Sequence, residues 1–191
     1  MKKMIIVLTA VAIISGTTLA IAYSAFLPRI QHNQQVALER SLGALFEQGE
    51  SPEFSEIETD GPTIYRARAE GRVIGYAIRV VTTGYGGEIR LLVGIGPDLE
   101  RITGLEVVEH VETPGLGGRI QEDSFKKQFE ELLPQQDISF VKGGDTQAKE
   151  NSIEAISGAT ISTAAVVSGI NKTLDSALPA LTERAGEGGE E

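Results

Sequence analysis

The chain contains no cysteine. That excludes disulfides, iron–sulfur clusters, thiolate zinc sites and thiol nucleophiles together, and leaves cysteine usage silent on the compartment. Histidine is nearly as scarce. His32 and His110 are the only two, too few for a histidine-rich metal site, so no metal ligand is assigned. Basic clusters are missing as well. The formal charge is −10 with no Lys/Arg patch of the kind nucleic-acid binding needs, so nucleic acid is set aside as a partner. Any redox chemistry would have to be carried by a bound organic cofactor or by a partner.

What is present begins with an apolar run. After Lys2 and Lys3 no charged residue occurs from Met4 to Leu27. At 1.5 Å per residue a helix of that length crosses a hydrocarbon core of about 30 Å. The two lysines should stay cytoplasmic, which puts everything from Pro28 onward outside the cytoplasm. Tyr23 and Phe26 then fall at the outer interface. A cleaved signal peptide with Ala20-Ile21-Ala22 as its small-x-small site is the competing reading, but the apolar run continues past that site.

The 191 residues suit one domain plus appendages. Arg29 to Gln48 carries Leu38, Leu42 and Leu45 on one helical face. Gly49 to Pro62, with its prolines, glycines and acids, reads as a loop. Thr63–Ala69 and Arg72–Thr82 alternate as strands around a Glu70-Gly71 hairpin turn, and Glu88–Gly96 and Arg101–Glu109 continue an antiparallel meander. Phe125, Phe129, Leu132 and Leu133 give helical spacing over Gln121–Leu133. Short strands are expected at Ile138–Val141 and Ile153–Ile156, and a last helix over Ser162–Leu178. Glu183–Glu191 is acidic and glycine-rich, and is expected to be disordered. Asn171-Lys172-Thr173 matches a glycosylation pattern but lies inside that last helix, and is discounted.

Three stretches remain. Ser157-Gly158-Ala159-Thr160-Ile161-Ser162-Thr163 offers four hydroxyls around small residues where a loop becomes a helix. Read locally it is a helix start with Ser162 or Thr163 as cap, or an anion site at the positive end of the helix. Pro114-Gly115 favours a type II turn, with Leu116 pinned to the core. The glycines around Tyr85 make a loop.

In this order and at these separations, three blocks resemble the FMN-binding domain shared by RnfG and NqrC, components of the Rnf electron-transport complexes and of the sodium-translocating NADH:quinone reductase. The blocks are Gly84-Tyr85-Gly86-Gly87-Glu88-Ile89 leading into Leu91–Ile95, His110-Val111-Glu112-Thr113-Pro114-Gly115-Leu116-Gly117, and Ile156 to Thr163. The N-terminal anchor agrees, and the chain's length favours the RnfG side. Where the family often carries Asp three residues before the Ser/Thr-Gly-Ala-Thr run, this chain has Glu154.

The resemblance implies an α+β fold: a transmembrane helix followed by one extracytoplasmic FMN-binding domain with an antiparallel sheet and packed helices. The expected divisions are a cytoplasmic N-terminus (1–3), the span (4–27), a helix and linker (28–62), the FMN-binding domain (63–181) and an acidic tail (182–191). It further implies that Thr160 carries FMN through a phosphoester made from FAD by a separate flavin transferase with a divalent metal, releasing AMP. Ser157, Gly158, Ala159, Ile161, Ser162 and Thr163 would surround the phosphate. Glu112, Thr113, Gly115, Leu116 and Gly117 would form the opposite wall. Tyr85 is divided between flavin contact and a structural role, and Glu112 between that wall and a loop brace. The expected function is a single-pass, covalently flavinylated electron-transfer subunit of a membrane-bound Rnf-type ion-translocating oxidoreductase. No residue is itself catalytic, and ion movement and ferredoxin or NAD chemistry fall to partner subunits. Two alternatives stay open: an anchored extracytoplasmic FMN carrier of another respiratory chain, and a cofactor-free structural or ligand-binding module.

Overall fold

The computed structural model describes residues 2–46, 52–59, 61–143 and 150–187. They fall into two units, Met1–Glu39 and Arg40–Glu191.

The first unit is helical. Helix α1 (Lys2–Leu45) takes in the apolar run and continues unbroken through Pro28 into the stretch expected as a separate helix. Proline there removes only one N–H, and the apolar run on one side and the Leu38/Leu42/Leu45 pattern on the other both favour helix. One window of α1 reaches a mean hydropathy of 2.4 with none of it buried inside the protein, so it is long and apolar enough to cross a membrane. The Thr18 and Ser24 hydroxyls donate back to the Ile14 and Ile21 carbonyls (2.8 and 3.0 Å), which satisfies them without a partner helix.

The second unit is built on a five-stranded sheet in the order β1-β2-β3-β4-β5. The strands are β1 (Glu53–Ile57), β2 (Ile64–Ala69), β3 (Arg72–Thr83), β4 (Glu88–Ile95) and β5 (Ile102–His110), each antiparallel to the next. The expected meander is therefore present, with one strand more. β1 lies inside the stretch read as a loop. It is an edge strand whose only buried residue is Ile57, so its sequence shows no apolar alternation. The β2–β3 turn puts both Glu70 (φ 48°) and Gly71 (φ 78°) in the left-handed region, as a tight hairpin requires.

Both sheet faces are covered. On one, Ile64, Ile78, Val80, Leu91 and Val93 pack with Val166, Ile170 and Leu174 of α3 (Thr160–Glu187). Contact is closest at Gly169, where a Cβ would lie 2.7 Å from that of Thr82, and the Thr82 hydroxyl donates to the Ala165 carbonyl (3.0 Å). On the other face the end of α1 seats over small residues. Gly94 pairs with Gly104 across β4 and β5, and Leu45 Cδ2 sits 3.3 and 3.2 Å from their would-be Cβ atoms. The compact unit thus takes in the end of α1 and β1, which the sequence reading placed in a linker.

Between Gly117 and Ile156 the described residues are mostly irregular. The helix expected over Gln121–Leu133 is only α2 (Asp123–Lys126), flanked by 3-10 turns at Gly117–Gln121 and Lys127–Phe129. The apolar spacing survives this change, since Phe125, Phe129 and Leu132 are all buried. β6 (Ser139–Val141) and β7 (Ser152–Glu154) pair in parallel. Three amide side chains lace the segment, each gripping the N–H and C=O of one backbone residue. Asn151 holds Leu133 (2.8 and 3.1 Å) and also reaches the Gln136 carbonyl (2.9 Å). Asn171 holds Ile138 (3.0 and 2.9 Å), which commits the amide of the discounted glycosylation pattern. Gln128 holds Glu154 (2.7 and 3.4 Å). Helix α3 starts two residues earlier than expected and continues to Glu187, into the stretch expected to be disordered. Residues 188–191 of that stretch lie outside the described residues.

Candidate functional site

The three motif blocks are far apart in sequence, and the fold joins them at one carboxylate. Glu112 leaves the end of β5 and is 5% exposed. Its Oε1 accepts the Gly86 N–H (2.9 Å) and its Oε2 accepts the Ser162 hydroxyl (2.7 Å). Its own N–H donates to His110 Nδ1 (3.0 Å). The glycines follow from this arrangement. A Cβ at Gly84 or Gly117 would overlap the Glu112 carboxylate, and one at Gly86 would lie 2.5 Å from the Val111 carbonyl oxygen. Sequence reading gave Glu112 two roles, part of a cofactor wall or a loop brace. The structure makes it the brace that ties the β3–β4 turn to the first turn of α3.

The His110–Gly117 loop has the expected turn. Gly115 has φ 75°, and the Thr113 carbonyl accepts the N–H groups of Leu116 (3.2 Å) and Gly118 (3.0 Å). A Cβ on Gly115 would meet nothing within 4 Å, so this stretch of backbone faces open space. Leu116 is not pinned into the core. It is half exposed, and its Cδ2 lies 3.4 Å from the would-be Cβ of Gly158.

The third block resolves its four hydroxyls into two kinds. Gly158 (φ 81°) turns the chain, the Ala159 N–H donates to the Ile156 carbonyl (2.9 Å), and α3 begins at Thr160. Ser162 and Thr163 are buried inside the first turn rather than capping it. Ser162 donates to Glu112. Thr163 Oγ1 donates to the Ala159 carbonyl and accepts the Ile156 N–H, both at 3.2 Å. The expected cap roles and phosphate bonds of these two hydroxyls are therefore corrected: starting the helix at Thr160 turns both inward. The hydroxyls of exposed Ser157 and half-buried Thr160 make no hydrogen bond among the described residues. The N–H groups of Thr160, Ile161 and Ser162 open α3 and have no acceptor inside the helix.

Tyr85 and Ile161 are exposed at the rim. A groove of about 220 Å³ adjoins Ser157, lined among others by Arg119, Gln128, Glu154 and Ile156. Among the described residues three larger hollows, of about 490, 330 and 540 Å³, lie away from the three blocks: around Ile57 and Pro62, around Phe46 and Ile74, and between β6 and α3. Among the described residues no group of acids and histidines is placed to hold a metal.

The site suits a tethered anionic cofactor better than an enclosed one. It has an uncommitted hydroxyl at a helix start, small neighbours at Gly158 and Ala159, and open backbone at Gly115. The hollow beside it among the described residues is a groove of about 220 Å³. Sequence reading missed Gly84, Gly86 and His110 as parts of the brace, although the glycines stood in the first block. Only the pairing with Glu112 explains them.

The FMN-binding domain model matches residues 84–175. The chain is 34% identical over 180 residues to the G component of the ion-translocating oxidoreductase complex of Methanosarcina acetivorans, covering 91% of this chain and 92% of that one. It is 36% identical over 125 residues to the G component of the Na+-translocating ferredoxin:NAD+ oxidoreductase complex of Acetobacterium woodii, covering 63% and 59%. Among solved structures, the C component of the Na+-translocating NADH-quinone reductase from Parabacteroides distasonis superposes with a TM-score of 0.58 at 24% identity, covering 63% of each chain. NqrC of Shewanella oneidensis gives 0.54 at 21%, covering 66% of this chain and 69% of that one. These two likenesses concern the fold.

Proposed function

The chain belongs to the family of G components of ion-translocating oxidoreductase complexes, which carries an FMN-binding domain, and from that premise we propose that it bears FMN covalently on Thr160 and passes electrons between partner subunits. It is an FMN-binding electron-transfer subunit of an ion-translocating oxidoreductase complex, with one described helix long and apolar enough to span a membrane.

One observation carries the choice of residue. Of the four hydroxyls in the Ser157–Thr163 block, Ser162 and Thr163 are committed inside the protein, and of the remaining two only Thr160 stands at the start of α3. In the attachment step the Thr160 oxygen bonds to the FMN phosphorus of FAD and the phosphoanhydride bond breaks. AMP leaves, and the hydroxyl proton passes to a base of the flavin transferase, which also supplies the divalent metal. The phosphate would then meet the free N–H groups of Thr160, Ile161 and Ser162 and the positive end of the helix dipole. Leu116 and Ile161 would shield the ring from water, and the Thr113–Gly117 loop would offer it backbone groups. When bound, the flavin supplies the redox chemistry. The protein supplies the tether and the walls, which Glu112 keeps joined. Lys2 and Lys3 favour a cytoplasmic N-terminus, so the flavin would work on the outer side of the membrane.

The test is a denaturing gel viewed under ultraviolet light after co-expression with a flavin transferase. A fluorescent band at the chain's mass is expected from wild type and from Ser157→Ala, and none from Thr160→Val. No band from wild type would sink covalent attachment, and a band surviving Thr160→Val would move it elsewhere.

A further inference from the structure

Among the described residues of the Arg40–Glu191 unit, five large apolar side chains stand exposed, and four of them sit on the two loops and the first turn of α3 that meet at Glu112. Tyr85 is 74% exposed, Val111 63%, Ile161 59% and Leu116 48%. Val111 Cγ2 lies 2.6 Å from the would-be Cβ of Gly87, and Leu116 packs toward Gly158, so the four line the two sides of the Glu112 brace. The fifth, Val81, lies on the sheet face opposite Thr82 and α3, beside Arg90, its direct partner across β3 and β4. Single exposed apolar residues are ordinary on a protein surface, but confinement of nearly all of them to one site is not.

The charges beside these loops point one way. Arg90 pairs with both Glu88 (2.6 Å) and Glu109 (2.9 Å), one cation answering two carboxylates. Arg119 is paired with Glu122 (3.2 Å). Glu154, next to Ser157 across the small groove, is exposed. The apolar rim therefore has an acidic edge at Glu88, Glu109, Glu122 and Glu154, where Arg90 and Arg119 are both engaged by carboxylates.

We propose that this rim is the docking surface for a redox partner subunit whose contact face is apolar at its centre and carries Lys or Arg around it. The inference rests on the flavin reading above and names the chemistry of the partner at the same site. A tethered ring is a single plate, and it cannot cover side chains on both sides of Glu112. A patch of four side chains suits a small, releasable interface of the size found in electron-transfer encounters. Opposite charges at its edge would orient each encounter and set its rate. In the encounter the partner's reduced centre loses an electron and the flavin gains it.

The test uses the full chain assembled with its partner subunits in membranes. Flavin reduction is followed by stopped-flow absorbance after a reductant is added, at low and high salt. Rates are expressed per covalent flavin, counted by in-gel fluorescence. At low salt Val111→Lys is expected to slow reduction by about tenfold and Val111→Glu by no more than about threefold, with the gap closing as salt screens the edge. Tyr85→Lys and Tyr85→Glu repeat the sign test at a more exposed position and carry it if the Val111 variants fold poorly. Ser176→Lys, at an exposed position sixteen residues along α3 from Thr160, is expected to keep the wild-type rate. Equal slowing by both signs, or an unchanged rate in Val111→Lys, would overturn the docking surface while leaving the flavin reading intact. A wild-type chain with no fluorescent band would overturn the flavin reading itself and this one with it.

Discussion

From Ile64 to His110 the chain is held by main-chain ladders, each strand paired along its length with the next. Between Gly117 and Ile156 the described residues have only the short β6–β7 ladder and a few backbone bonds, and three side-chain amides supply much of the remaining polar fastening. In the meander many small contributions are spread over dozens of backbone groups. In the following segment more of that work falls on a few atoms, and that segment delivers the chain to Ser157 and Thr160. Positioning of the candidate site is therefore more fragile than the sheet that supports it.

Substitutions in the two regions should show it. Asn151→Ala removes three hydrogen bonds at a residue 6% exposed, orphans the N–H of Leu133 and takes a donor from the carbonyls of Leu133 and Gln136. A loss of about 3 kcal/mol is expected in urea denaturation of the detergent-solubilised chain. Ile78→Val, at a fully buried position in the middle of the meander, should cost only about 1 kcal/mol in the same assay. Equal costs, or the reverse order, would erase the distinction. The smallest effect belongs to the joint between the regions, where Lys126 of α2 pairs with Glu106 of β5 (2.8 Å) and with Asp123 (3.3 Å). Burial works against its charge, but the bonds and attraction to Glu106 and then Asp123 outweigh it, and its pKa lies above the ordinary lysine value. A raised lysine pKa means the contribution is complete below the unfolded value of 10.5 and is lost as pH rises through the folded one. Lys126→Met should lower stability by about 0.5 kcal/mol at neutral pH. The two proteins should converge in strongly alkaline buffer, and a gap that persists there would mean that packing rather than charge makes the joint.

The same contrast governs what could be read from sequence. Strands β2 to β5 show in the alternation of apolar residues because one sheet face is buried under α3, and Glu70-Gly71 marks its own turn. β1 does not show, since an edge strand with one buried residue has no pattern to display. The Phe125/Phe129/Leu132 spacing misled on length because a short helix between 3-10 turns buries the same residues as a longer helix. Amide clamps have no signature at all: Asn151, Asn171 and Gln128 look like surface polar residues until the backbone they grip is in place. At the site, the motif blocks and the turn at Gly115 were legible. The inward rotation of Ser162 and Thr163 was not, because it depends on the helix starting at Thr160 and on a carboxylate 50 residues away from Ser162.

That carboxylate has one more consequence. Glu112 is the common acceptor of a loop 26 residues before it and a helix 50 residues beyond it. A shared acceptor couples its two donors: ordering the Gly86 loop leaves less freedom for the start of α3 to lose, and the reverse holds by the same amount. The two shores of the site are therefore joined through a single buried side chain.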